Sequence, residues 1–354
     1  MTHCFKVTAV FVLLSLIAFG QSSGKTRTYY IAADEVDWDY GPEGINKMMG
    51  MNFDGYAATF MQSGLHSIGK VYRKAIYREY TDASFTQLKP RAPEWEHLGI
   101  LGPVLRAEVG DTIRVVFRNH APRPYSMHPH GVFYEKASEG TVYQDGSSAS
   151  DKANSIVPPG ETHTYNWEVT ERAGPGPADG SSVVWLYHSH VNEQRDVASG
   201  LIGPIIITAR GMAGPKGRPK DVDREFICLF LIFDENASWY LDHNIQTFTK
   251  DPKGVNKYEG KPMDSDGVFS FFGTGFTSQN FRSTINGYMY GNGPMMTMKK
   301  GEHVRWYMMS IGGIIQGHTP HWHGNVVLAK GHRTDVVTLA QAEMITADMI
   351  PDNP

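Results

Sequence analysis

The residues able to do chemistry in this chain are histidines set two apart. His128 and His130 lie in "HPHG", His188 and His190 in "YHSH", and His321 and His323 in "HTPHWHG", where His318 precedes the pair. On a strand, residues i and i+2 point to the same face about 6.6 Å apart. Each pair can therefore offer two nitrogens to one cavity, or one nitrogen to each of two neighbouring ions. Neutral imidazole suits copper, zinc, iron and nickel. A single pair is read equally well as hydrogen-bonded structure, but three pairs, two of them at matching places, point to metal. Structural zinc would bring cysteines at close spacing. Here the cysteines are Cys4 and Cys228 alone, so the donor set is compatible with copper without excluding zinc.

These pairs need strands to hold them, and the sequence supplies strands. "TYYIAADEVDW", "VYRKAIYREY", "LRAEVGDTIRVVFRN", "THTYNWEV", "VVWLYHSHV" and "LIGPIIITA" are β-branched and aromatic runs, most of them separated by Gly, Pro, Asn or Asp. A second β-rich segment begins at "EFICLFLIF", after the Gly-, Pro- and Lys-rich stretch 210–221. That stretch reads as a linker. "VGDTIRVVFRN" (109–119) and "KGEHVRWYMMS" (300–310) share a Gly-[Asp/Glu]-x-[Ile/Val]-Arg pattern, and each is followed by His-x-His-Gly. The distance from the pattern's glycine to the first histidine is 18 residues in one copy and 20 in the other. The expectation is two copies of one β-sandwich, over 25–209 and 222–354.

Bulk properties narrow the function. A length of 354 residues suits two domains, and 41% hydrophobic with 20% charged residues is a globular composition. The formal charge of −4 argues against nucleic acid, which demands concentrated Lys and Arg. The apolar run 7–19 after Lys6 has the layout of a cleaved signal peptide over 1–24 and is short for a membrane span. The expected location is therefore extracellular, or periplasmic in a bacterium. Cys228, within "FICLFLIF" and without a neighbouring His or basic residue, reads as a small buried hydrophobe.

Longer motifs carry a resemblance. "LGILGPVLRAEVGD", "RPYSMHPHG", "YHSHVNEQRDVASGLIGPIII", "FDENASWYLDHNI", "INGYMYG" and "HTPHWHG" resemble multicopper oxidases of the ceruloplasmin and hephaestin type, from about Lys25 to the last residue. The resemblance implies an all-β chain of two tandem cupredoxin-like Greek-key domains. It also implies a trinuclear copper cluster between such domains, where electrons from a small reducing substrate reduce dioxygen to water. By position, His128 and His321 would hold the type 2 copper. His130, His188, His190 and His323 would hold the type 3 pair, and His318 would be a ligand of the type 1 copper.

Departures from the family pattern matter as much. In the family a Cys sits between two cluster histidines; here that place is Ser189, with Gln194 and Leu201 at the places of the next His and the axial Met. The first domain should hold no type 1 copper. Only 33 residues follow His321, before the place where the family puts the second His-Cys-His. The expectation is a chain truncated before that motif, its second sandwich incomplete and the fragment inactive alone. Small members of the family imply a homotrimer. Ferroxidases of the family place a Glu and a His where Ser278 and Ser283 stand, which puts iron oxidation in doubt. A calcium site would use Lys136 (through its carbonyl), Asp151 and Asn154, weakened because Ser155 replaces an acid.

Other features stay open. Met48, Met49 and Met51, and Met295, Met296 and Met298, suit copper(I) as thioethers, or fill gaps as methionines commonly do. "NAS" from Asn236 is a glycosylation sequon or part of a sheet motif. Two rival functions use the same residues: a non-catalytic binding module like the coagulation-factor A domains, and a copper storage or transfer protein.

Overall fold

A computed structural model of the chain describes residues 24–148, 150, 156–257, 273, 275–312 and 317–353. The signal-like segment up to residue 23, and the expected calcium ligands Asp151 and Asn154, lie outside the described residues. In chain order the strands are β1 (Thr26–Asp39), β2 (Ile45–Asn46), β3 (Met51–Asn52), β4 (Val71–Tyr80), β5 (Leu105–Glu108), β6 (Thr112–Asn119), β7 (His128–Pro129) and β8 (Thr162–Glu168). They continue with β9 (Ser182–His188), β10 (Ile202–Thr208), β11 (Arg224–Asp234), β12 (Phe281–Ile285), β13 (Val304–Met309), β14 (Val327–Ala329), β15 (His332–Thr334) and β16 (Met344–Met349). Short helices join them among the described residues, including α1 (Gly55–Met61), α2 (Glu193–Ser199), α3 (Leu241–Phe248) and α4 (Phe276–Gln279).

The strands form three layers. One sheet runs β4-β1-β6-β8, a second runs β5-β10-β9-β7, and a third runs β12-β11-β13-β16-β14-β15. In the first sheet β6 alternates inward Ile113, Val115 and Phe117 with outward Arg114 and partly covered Val116 and Arg118, the period of a strand with one buried face. The second sheet lies in the middle. On β9, Val183 and Tyr187 join the core shared with the first sheet, while Val184 and Leu186 join the core shared with the third. On β10, Ile205 and Ile207 face one way, and Ile202 and Ile206 the other. Burial on both faces explains why "IGPIIIT" is apolar up to its final Thr208 instead of alternating. Each fully buried Ile or Leu there contributes about 1.5–3 kcal/mol.

The third sheet repeats this two-sidedness. Ile227, Leu229 and Leu231 of β11 pack toward the middle layer, while Phe226 and Cys228 pack toward Trp306, Trp322 and Leu339 on the outer side. Cys228 is a free, buried thiol in that outer core, and burial pushes its pKa up to about 12. The first and third sheets also share a strand order: β1 lies parallel to β6 with β4 on its other side, and β11 lies parallel to β13 with β12 on its other side.

Buried polar groups lock the layers together. Arg106 of β5 donates to both oxygens of Glu225 of β11, at 2.9 and 3.1 Å, and the same carboxylate takes hydrogen bonds from Arg218 and from Tyr307. Lys74 of β4 pairs with Glu235, both side chains fully buried, and also donates to the Ala198 carbonyl. His97 donates through Nδ1 to the Glu94 carbonyl and accepts the Ile227 amide at Nε2. The stretch 210–221 is tied down as well: the Gly211 amide reaches Glu108, and Lys220 donates to the Gly211 carbonyl.

Candidate metal centre

Strand pairing assembles the first-half histidines. His128, at the start of β7, is the register partner of His188, at the end of β9. His130 follows one pleat after His128, and its amide donates to the Leu186 carbonyl of β9. The result is a tetrad. Ring centroids lie 5.5 Å apart for His128 and His130, 5.6 Å for His128 and His188, 5.0 Å for His128 and His190, and 5.3 Å for His188 and both His130 and His190. Ring nitrogens of His128, His130 and His188 all fall within 4.8 Å of one another. His130 and His188 bring their Nε2 atoms to 3.2 Å.

Oxygen atoms fix the orientation of three rings. His128 Nδ1 is 2.7 Å from the Glu139 carbonyl, His188 Nδ1 is 3.0 Å from the Ser189 carbonyl, and His190 Nδ1 is 3.0 Å from Thr141 Oγ1. An Nδ1–H held by a carbonyl leaves Nε2 as the lone-pair donor, the arrangement that metal-binding histidines use. Burial pushes the His128 pKa below its ordinary value. It pushes His130 down to about 4, with the charges of His128 and His190 adding to the effect, and it holds His188 well below 6.5. All three are neutral at pH 7, and neutral imidazoles whose ring nitrogens lie this close together fit a soft or borderline transition metal. Glu193 lies 3.5 Å from His190 Nε2 at the rim.

The second-half histidines sit otherwise. His321 and His323 are exposed, with ring centroids 4.4 Å apart, and His321 lies 3.5 Å from Asp335. His318 is half-buried against Phe230; its backbone pairs with Leu339, and its buried Nε2 accepts or donates no hydrogen bond among the described residues. Burial lowers the His318 pKa. No contact among the described residues joins these three to the tetrad.

The place of the family's Cys is filled by a hydrogen-bond network. Ser189 is fully buried and donates to Asp196 at 2.7 Å. Gln194 is exposed, and Leu201 is fully buried in the first core. Asp196 and its partner Trp239 carry no metal-ligand spacing, and the sequence reading did not single them out. The hint was an acid placed within "RDVASG", next to the buried "LIGPIII" run. Of the expected calcium ligands only Lys136 is described, and its amine pairs with Glu139 and Asp145 at 2.5 and 2.6 Å. Ser278 is buried and Ser283 faces outward on β12.

A family profile described as multicopper oxidase matches residues 98–211. The chain is 43% identical over 348 residues to Ferroxidase HEPHL1 of Homo sapiens, covering 98% of this chain and 29% of that protein. It is 42% identical over 333 residues to ceruloplasmin of Homo sapiens, covering 92% of this chain and 30% of that protein. The chain belongs to the multicopper oxidase family. It spans less than a third of the length of these two relatives. The blue copper oxidase from Nitrosomonas europaea shares the fold, with a TM-score of 0.53 at 16% identity over 93% of this chain and 77% of that one. The chain is all-β, with cupredoxin-like structural neighbours. Among the described residues, no helix is long and apolar enough to cross a membrane.

Proposed function

We propose that this chain contributes ligands of a trinuclear copper site to a copper-dependent oxidase that reduces dioxygen to water with electrons from a small donor. The observation that carries the reading is the tetrad itself: four imidazoles converge, and His128 and His188 have Nδ1 held by backbone carbonyls, which leaves Nε2 as the lone-pair donor, while His190 Nδ1 lies beside Thr141 Oγ1. In this reading His128 serves the type 2 copper, and His130, His188 and His190 serve the type 3 pair. His321, for the type 2 copper, and His323, for the type 3 pair, belong to the complementary surface, and His318, with its unpaired Nε2, belongs to a type 1 site. Copper, when bound, supplies the one-electron redox chemistry. The chain keeps His128, His130 and His188 neutral at pH 7 and positions the rings through β7 and β9. The division into units of 25–209 and 222–354, joined by the tied-down 210–221 segment, is part of the proposal, as is export directed by residues 1–24.

The electron donor is the open element. The name of a relative, Ferroxidase HEPHL1, makes ferrous iron the first candidate. Against it, Ser278 and Ser283 offer hydroxyls where the family's ferroxidases offer a carboxylate and an imidazole. Aromatic amines, phenols and copper(I) belong in the same screen. The homotrimer implied by small family members gains nothing from relatives of which this chain spans under a third, and it is not part of the proposal. The weakened calcium site is retained only as a candidate around Lys136.

The test is oxygen uptake by the copper-loaded protein from its native source, with each donor in turn. Four donor electrons consumed per dioxygen, without peroxide, is the expected outcome. Copper bound without oxygen uptake would favour storage or transfer instead, and a protein that takes up no copper would favour a binding module.

A further inference from the structure

We infer that Asp196 is a positioning residue for the histidine tetrad, acting from the place where the family pattern would put type 1 copper ligands. The inference rests on the proposed reading of the tetrad as a copper site. Asp196 is 1% exposed, and a carboxylate buried that far is costly unless donors surround it. Four do. Oδ2 accepts Ser189 Oγ–H at 2.7 Å and the amides of Val191 and Asn192 at 3.0 Å each, and Oδ1 accepts Trp239 Nε1–H at 2.8 Å.

The positions of the donors give the network its role. Ser189 and Val191 bracket His190, so one carboxylate oxygen holds a side chain on one side of a proposed ligand and a backbone amide on the other. Ser189 also accepts the Ser126 amide at 3.1 Å, and Ser126 Oγ accepts the His190 amide at 3.0 Å. Ser126 stands two residues before His128. One network thus joins the "HPHG" and "YHSH" segments, which supply all four imidazoles. Its far end, Trp239, follows β11, and its ring is covered by Arg195 at 3.7 Å and Arg123 at 4.7 Å. The direction of the tetrad is therefore set partly by the C-terminal half of the chain. A buried serine and carboxylate do here, through hydrogen bonds, the bracing that metal–ligand bonds would do in a copper-bearing copy.

The test uses cobalt(II) as probe, titrated into the metal-free full chain, with the d–d absorption reporting the geometry of the bound imidazoles. Asp196→Asn and Ser189→Ala should weaken cobalt binding by about 10- to 100-fold and alter the spectrum; Trp239→Phe should do the same to a smaller extent. Glu225→Ala, which destabilises the layers away from the tetrad, serves as the control and should lower the unfolding temperature while leaving the cobalt spectrum as it is. If Asp196→Asn does not fold, Ser189→Ala decides, because it removes a single donor. Variants that bind cobalt with wild-type affinity and spectrum would overturn the positioning role alone. A wild-type chain that binds no cobalt would overturn the copper reading, and this inference with it.

Discussion

Two copies of His-x-His-Gly fold into different surroundings in this chain. In "HPHG" the histidines lie on a strand paired with β9, where a second His-x-His arrives in register and His128 faces His188. In "HWHG" the backbone of His321 bridges to Val336 in a loop, and both imidazoles remain exposed. The intervening residue explains part of this: Trp322 is buried against Trp306 in the outer core, which turns its two neighbours outward. The same four-residue motif thus yields an enclosed tetrad in one half and an open pair in the other. A ligand set is made by what the partner strand brings, and the motif alone supplies only half of it.

Three substitutions or titrations would break or sharpen this contrast. The largest effect is expected from His188→Ala, which removes the ring that meets His128, His130 and His190. Cobalt(II) affinity should fall more than about 100-fold, beyond the loss typical of residues that merely support ligands. His321→Ala in the same titration should leave the tetrad's affinity within about twofold. Equal losses for the two variants would show that the open pair already shares the metal of the tetrad.

A second effect concerns the layers that enclose the tetrad. Glu235→Ala leaves Lys74 fully buried without its carboxylate, and loss of one partner of a buried pair costs about 3–5 kcal/mol. The urea midpoint should fall accordingly. Lys74→Met with Glu235→Leu should recover much of the loss, since an apolar pair of similar size avoids the stranded charge.

The smallest effect is a pH dependence of the metal-free chain. The His130 pKa is lowered from 6.5 to about 4 in the folded state. The unfolded chain therefore takes up a proton first as pH falls. Stability from this group is intact above about 6.5 and is lost progressively between 6.5 and about 4. Saturating metal should extend the loss below about pH 4, because the bound imidazole stays unprotonated while the unfolded chain still takes up protons. A slope that stays the same in His130→Gln would assign the loss to other groups.

Much of this was legible before any coordinates. The dense β-branched runs gave an all-β chain, and the His-x-His spacing marked three pairs as candidate ligands; the resemblance placed all three pairs at one cluster, whereas among the described residues only His128, His130, His188 and His190 lie together. What was not legible follows from long-range packing. The stretch 210–221 has linker composition, yet Gly211 and Lys220 are tied into the structure, because hydrogen bonds to Glu108 and within the stretch outweigh the flexibility of Gly and Pro. Two tandem sandwiches, the second incomplete, were expected; among the described residues the six-stranded sheet of the second half packs one face on the middle layer of the first half and carries an outer core on the other, a contact between halves that local sequence does not reveal. The Asp196 network escaped notice because its donors come from Ser189, two amides and Trp239, 43 residues away in sequence.

The sequence by itself determined the strands, the imidazole pairs and the absence of a Cys between His188 and His190, because each is fixed by residue type and local spacing. Only the tertiary structure decided which pairs meet, which are buried enough to stay neutral, and which carboxylate braces them. Those outcomes depend on strand register and on burial between layers, and both are set by residues far apart along the chain.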